Sequence, residues 1–154
     1  MTQSITIETH SPQETEALGE AISRLLPIGS LVTLRGDLAA GKTCLVRGMA
    51  KRFQTGEAVA SPTFTIVNQY GNDPKFYHVD LYRMADLEEV ADLGYDELFE
   101  PDGICAVEWA ERAEGLLPEK RVDILLEHAG EDSRRITISN LGVLQEGWQA
   151  ALSN

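Results

Sequence analysis

Residues Gly36, Asp37, Leu38, Ala39, Ala40, Gly41, Lys42 and Thr43 fit the pattern G-x-x-x-x-G-K-[ST] in full. At average composition a chance match in a chain of this length has a probability of about half a per cent. This octet therefore constrains the fold more than any other stretch. It works only between a strand, which anchors one end of the loop, and a helix, whose free N-terminal amides point back into it. Both flanks fit: Leu31 to Leu34 is a short β-rich run, and KTCLVRGMAKRF puts Leu45, Val46 and Met49 on one helical face.

The chemistry of such a loop is specific. Its amides and the helix N-terminus form an anion nest, Lys42 sets a point charge on the β- and γ-phosphates, and the Thr43 hydroxyl ligates Mg²⁺. The expected nucleotide-binding stretch runs from Gly36 to Cys44. Cys44 and Cys105 are otherwise read as small core residues, because neither lies in a C-x-x-C spacing or beside an evident base. If the loop turns left-handed at Ala39, that residue costs about 1 to 2 kcal/mol.

Charge narrows the ligand classes further. Thirteen basic residues against 25 acidic ones leave a net charge of −12, a field that repels a phosphate backbone. Independent nucleic-acid binding is not expected, and bound phosphates must be held by local amides and one or two cations. The 154 residues are expected to form a single P-loop ATPase domain over 1–154. No window approaches 18 uninterrupted apolar residues and MTQSITIETH is not a leader, so no membrane span is expected and a reducing cytoplasm is the expected compartment.

Elsewhere the chain alternates strand and helix signals. Ile5 to Glu8 reads as a strand, and Ser11-Pro12-Gln13-Glu14 supplies an N-cap, a proline at the first helical position and a capping-box glutamate. Ala17, Leu18, Ala21, Ile22 and Leu25 then form one stripe until Pro27. SPTFTIVNQY and KFYHVDLYR flank the turn GNDP as an antiparallel hairpin, and Val122 to His128 with Arg134 to Ser139 flank AGEDS as a second. Ile104 to Val107 reads as a buried strand between them, so the sheet is expected to be mixed. Short helices are expected within Asp86 to Glu100, stopping at Gly94, after Glu108-Trp109 to Leu117, closed by Pro118, and from Val143 to Leu152. The predicted class is an α/β, P-loop NTPase-like three-layer fold, a central mixed parallel and antiparallel sheet flanked by helices.

A phosphate loop needs a carboxylate at the end of a neighbouring strand, and two qualify: Asp80 after FYHV and Glu108 after ICAV. His10, His78 and His128 make no metal-ligand spacing and are given no role.

Together these stretches resemble a known family, the TsaE (YjeE) ATPases of bacterial tRNA threonylcarbamoyladenosine synthesis. GDLAAGKTCLVRG at Gly36 to Gly48, SPTFTIVNQY at Ser61 to Tyr70, YHVDLYR at Tyr77 to Arg83 and EWAER at Glu108 to Arg112 carry the resemblance over nearly the whole chain. The pattern departs at Ala39, where the family usually has glycine. The resemblance implies Thr43 and Glu108 as Mg²⁺ ligands, Trp109 beside the nucleotide, and Ser61 to Phe64 as a switch-like loop. It also implies Asp80 in the same site, and base contacts from near Ser11 and from Arg134 and Arg135. The partner it implies is the TsaB and TsaD complex, with ATP hydrolysis resetting a cycle rather than forming the product.

The expected mechanism gives Lys42 and the loop amides the developing charge and leaves Asp80 or Glu108 to orient the attacking water. No arginine finger is identifiable, so intrinsic hydrolysis is expected to be slow. A small P-loop kinase for a metabolite or nucleoside is the alternative, but it needs an Arg-rich lid and Asp86 to Glu100 contains no arginine. A GTPase lacks its N-K-x-D segment, and a nucleotide-ordered binding module is the third possibility.

Overall fold

The computed structural model describes residues 3–36, 40–53, 67–71, 75–81, 102–110, 115 and 117–153. Within them lie strands β1 (Gln3–Thr9), β2 (Leu31–Arg35), β3 (Val67–Tyr70), β4 (Lys75–Asp80), β5 (Gly103–Glu108), β6 (Arg121–His128) and β7 (Arg134–Leu141). They form one seven-stranded sheet in the order β1-β7-β6-β2-β5-β4-β3. The helices are α1 (Pro12–Leu25), α2 (Lys42–Ala50) and α3 (Trp148–Ser153), and a 3-10 turn, Lys51–Phe53, follows α2.

Parallel pairing joins β2 to β5, β2 to β6 and β4 to β5, whereas β3 with β4, β6 with β7 and β1 with β7 are antiparallel. The α/β class and mixed sheet are those expected from the sequence. Hydrophobic burial explains the middle of the sheet: Leu31 to Leu34 of β2 and every residue of β5 are buried, the mark of parallel strands enclosed on both faces. Pairing also sets direction. β1, β2, β4, β5 and β6 all point the same way, so their carboxyl ends share one edge.

Helix α1 starts as its sequence predicts, with Ser11 in an extended conformation and its Oγ accepting from Glu14 N at 3.1 Å. Glu14 reaches back one residue further than a capping box requires, its Oε1 accepting from His10 N at 3.1 Å. The buried stripe is Thr15, Leu18, Gly19, Ile22 and Ser23, while Ala17, expected in the stripe, is exposed. The stripe is rotated because α1 meets α2 through glycine: a Cβ on Gly19 would sit 2.1 Å from Leu45 O, and one on Gly48 would sit 1.8 Å from Glu16 O. Leu45, Val46 and Met49 of α2 are fully buried, as the helical face predicted. Each such side chain contributes about 1.5 to 3 kcal/mol of burial.

The terminal helix begins later than Val143. Asn140 Oδ1 accepts from Val143 N at 2.9 Å and Leu144 N at 2.8 Å, and its Nδ2 donates to Leu144 O at 3.1 Å. This buried amide holds 143–144 as a turn and delays the helix to Trp148. The helix expected within Asp86 to Glu100 lies outside the described residues, as do four of the residues immediately before Gly115. No helix among the described residues is long and apolar enough to cross a membrane.

Candidate functional site

The carboxyl edge of the sheet gathers the predicted residues from five separate strands. The segment after β1 brings Ser11, the one after β2 brings Gly36, Ala40 and Gly41, β4 and β5 end in Asp80 and Glu108, and the turn after β6 delivers Arg134. In open α/β sheets ligands bind outside such an edge. Asp37, Leu38, Ala39 and the 61–66 segment lie outside the described residues, as do Tyr82, Arg83, Glu111 and Arg112 of the family motifs.

Two glycines shape the loop. Gly36 has φ +150° and lies so close to β6 that a Cβ would come within 2.5 Å of Leu126 O. Gly41, at φ +100°, is the N-cap of α2 and offers no side-chain cap, and a helix start of this kind favours negative charge. Lys42 opens that helix with only 6% of its surface exposed. Its Nζ donates to Gly36 O at 2.7 Å and stands 4.3 Å from the centre of the Trp109 ring. Buried positive charge on a positive helix end is costly unless an anion compensates it.

Trp109 is held in place by an unusual backbone. At φ 59° it is the one non-glycine among the described residues with positive φ, a conformation that costs about 1 to 2 kcal/mol. It directly follows Glu108, so the same turn aims the ring at Lys42 and the carboxylate at the sheet edge.

Asp80 and Glu108 are register partners on adjacent parallel strands, and Leu81 N donates to Glu108 O at 3.1 Å. Asp80 is half-buried, Glu108 only 4% exposed. The Glu108 carboxylate is met by His78, whose Nε2 lies 2.5 Å from Oε2. His78 had no role from sequence, yet it is fully buried in the site. Its signal was period-two alternation, which puts Phe76, His78 and Asp80 on one face; the identity of the neighbour required the pairing of β4 with β5.

On the other flank Pro12, Thr15, Gly41, Cys44, Asp132 and Arg134 line a small open recess. His10 Nδ1 and Ser133 Oγ, 3.1 Å apart, tie the start of α1 to the β6–β7 turn. Arg134 donates through Nη1 to Ser133 O at 2.9 Å and packs its stem beside Gly41. Arg135, expected as its companion, instead points to Glu8 on β1 at 3.5 Å, because neighbouring strand residues face opposite ways. Cys44 Sγ donates to Pro12 O at 3.0 Å, and partial burial raises its thiol pKa. Cys105 is fully buried in the sheet, which pushes its thiol far above the ordinary range.

The Thr43 hydroxyl and the Glu108 carboxylate are hard oxygen donors, the kind Mg²⁺ takes alongside phosphate oxygens and water. Among the described residues no three of His, Cys, Asp or Glu cluster to hold a metal by themselves. Residues 9–136 match the family model described as threonylcarbamoyl adenosine biosynthesis protein TsaE.

The chain belongs to the TsaE family. It is 42% identical over 135 residues to the TsaE protein of Bacillus subtilis, covering 87% of this chain and 84% of that one. The Treponema pallidum TsaE is 42% identical over 131 residues, covering 85% and 97% respectively. The crystal structure of Bacillus subtilis YdiB is similar to 99% of this chain and 96% of its own, at a TM-score of 0.80 and 36% identity. A TsaE-type fold thus frames the loop, the carboxylates and Trp109.

Proposed function

We propose that this chain binds Mg-ATP at the carboxyl edge of its sheet and hydrolyses it slowly. On this reading hydrolysis serves threonylcarbamoyladenosine formation on tRNA by acting on a TsaB–TsaD complex. The observation that carries the reading is Lys42, buried at the mouth of a glycine-bracketed loop and aligned with an uncapped helix start. Membership of TsaE, whose description names threonylcarbamoyl adenosine biosynthesis, supports the pathway. The domain is 1–154, the compartment the cytoplasm.

In this site residues 36–43 hold the triphosphate tail through their amides. Lys42 exchanges the Gly36 carbonyl for the β- and γ-phosphates, and Trp109 lines the same space. The nucleoside extends toward the recess lined by Cys44, Arg134 and Pro12, the last next to Ser11 in the chain. Thr43 and Glu108 would hold Mg²⁺, which would supply neutralising positive charge to the phosphates. Asp80 or Glu108 orients the attacking water. An arginine delivered by a partner can raise such a rate by about 10³ to 10⁵, which accounts for stimulation by the complex.

Calorimetric titration with ADP and ATP, followed by phosphate release with and without TsaB and TsaD, tests the proposal. Lys42→Ala and Glu108→Ala are expected to stay folded and to lose turnover. Turnover that persists in both variants sinks the site assignment, and a wild-type chain that binds no adenine nucleotide sinks the function.

A further inference from the structure

Among the described residues, His78 is a buried polar group that the roles above leave without a purpose. His78 is fully buried on β4, its Nε2 meets Glu108 Oε2 at 2.5 Å, and its Nδ1 has no hydrogen-bond partner among the described residues. A histidine kept for packing alone would be expensive there, since an unpaired polar atom in the interior costs more than an apolar side chain of the same shape. Register explains the reach. His78 lies opposite Ala106, whose methyl leaves space over β5, and Glu108 lies two residues further along that strand on the same face. The bond therefore runs diagonally across the two strands.

We propose that His78 is a positioning residue for the ATPase site: its Nε2–H pins Glu108 Oε2 so that Oε1 is presented to the nucleotide-borne metal or its water. This rests on the function proposed above. The Nε2–H tautomer suits the geometry, because it leaves a lone pair at the unpartnered Nδ1, and a buried lone pair without a donor is a smaller defect than a buried N–H without an acceptor. A glutamate side chain has several rotatable bonds, and a carboxylate that is 4% exposed has little water to orient it. The imidazole supplies the missing constraint. Hydrogen bonds that orient a metal-ligating carboxylate act in this way, without themselves touching the ion.

Two substitutions separate positioning from packing. His78→Leu removes the donor and keeps the bulk, while His78→Gln restores an amide N–H near the place of Nε2. Thermal melts establish that both are folded. ADP titrations in EDTA and across a Mg²⁺ series, together with ATP turnover, then read the effect. His78→Leu is expected to bind ADP in EDTA as the wild type does, and to need about 10- to 100-fold more Mg²⁺ for half-maximal effect. His78→Gln should recover most of that loss, and His78→Leu in a Glu108→Gln background should add nothing to it. A Mg²⁺ dependence equal to wild type, an equal loss of ADP affinity in EDTA, or no recovery with glutamine each overturns the proposal. A wild-type chain that binds no nucleotide overturns the function as well, so the two failures are distinguishable.

Discussion

Gly36 and Gly41 bracket the loop for different physical reasons, and the difference is measurable. At Gly41 an added Cβ meets nothing closer than 3.7 Å, so alanine there bears only the left-handed backbone cost of about 1 to 2 kcal/mol. At Gly36 the Cβ would strike a main-chain oxygen of Leu126 at 2.5 Å, which cannot move without disturbing β6. Gly36→Ala is therefore expected to lower the urea midpoint more than Gly41→Ala and to abolish ADP binding. Equal losses would show that the strand contact is unimportant. The two thiols offer a second residue-scale test. Buried Cys105 should resist iodoacetamide in the native state, whereas half-buried Cys44 should react slowly near neutral pH, because desolvation raises its pKa, and faster as rising pH forms the thiolate. ADP should protect Cys44, and unchanged labelling with saturating ADP would place the nucleoside elsewhere.

Helix α2 carries Lys42 and Thr43, and its position is set by the glycine crossing with α1. Gly48→Ala forces a methyl onto Glu16 O, an overpacking that costs about 1 to 3 kcal/mol. Because the helix must shift to admit it, nucleotide affinity is expected to fall along with stability. Ala17→Ser on the exposed side of α1 should change stability by no more than about 0.5 kcal/mol. Chemical unfolding and ADP titration of the pair check both statements. A second inter-element tie gives a pH signature. Tyr77 Oη donates to Asp102 Oδ1 at 2.8 Å, and Lys75 Nζ lies 3.4 Å from Oδ2, joining β4 to the residue before β5. The tyrosine hydrogen bond, then the lysine, holds the Asp102 carboxyl below its usual range. With a depressed folded pKa, this contribution is complete above the ordinary carboxylate range and is lost as pH falls through the lower folded value. Tyr77→Phe should flatten that acid limb of the melting curve, and an unaltered limb would remove the tie.

At the scale of the whole molecule, a net charge of −12 opposes any polyanion, so the isolated chain should not retain tRNA in a gel-shift assay near physiological salt. Retention would point to a local basic surface stronger than the overall field. If the proposed stimulation by TsaB and TsaD runs through an electropositive partner face, it should weaken as salt rises. What the sequence determined by itself was local: the glycine-bracketed loop, the Ser11 cap, the buried face of α2, the two hairpins and the strand-end carboxylates. Each follows from turn chemistry or from a periodicity of 2 or 3.6, which neighbouring residues carry without reference to the rest of the chain. Tertiary structure decided the others: the rotated stripe of α1, the turn that Asn140 imposes before α3, the parting of Arg134 from Arg135 and the placing of His78 against Glu108. Strand order is the reason. A run of buried apolar residues such as β5 shows that a strand is enclosed but not which strand lies beside it, and the site's far-flung groups meet only once that pairing is made.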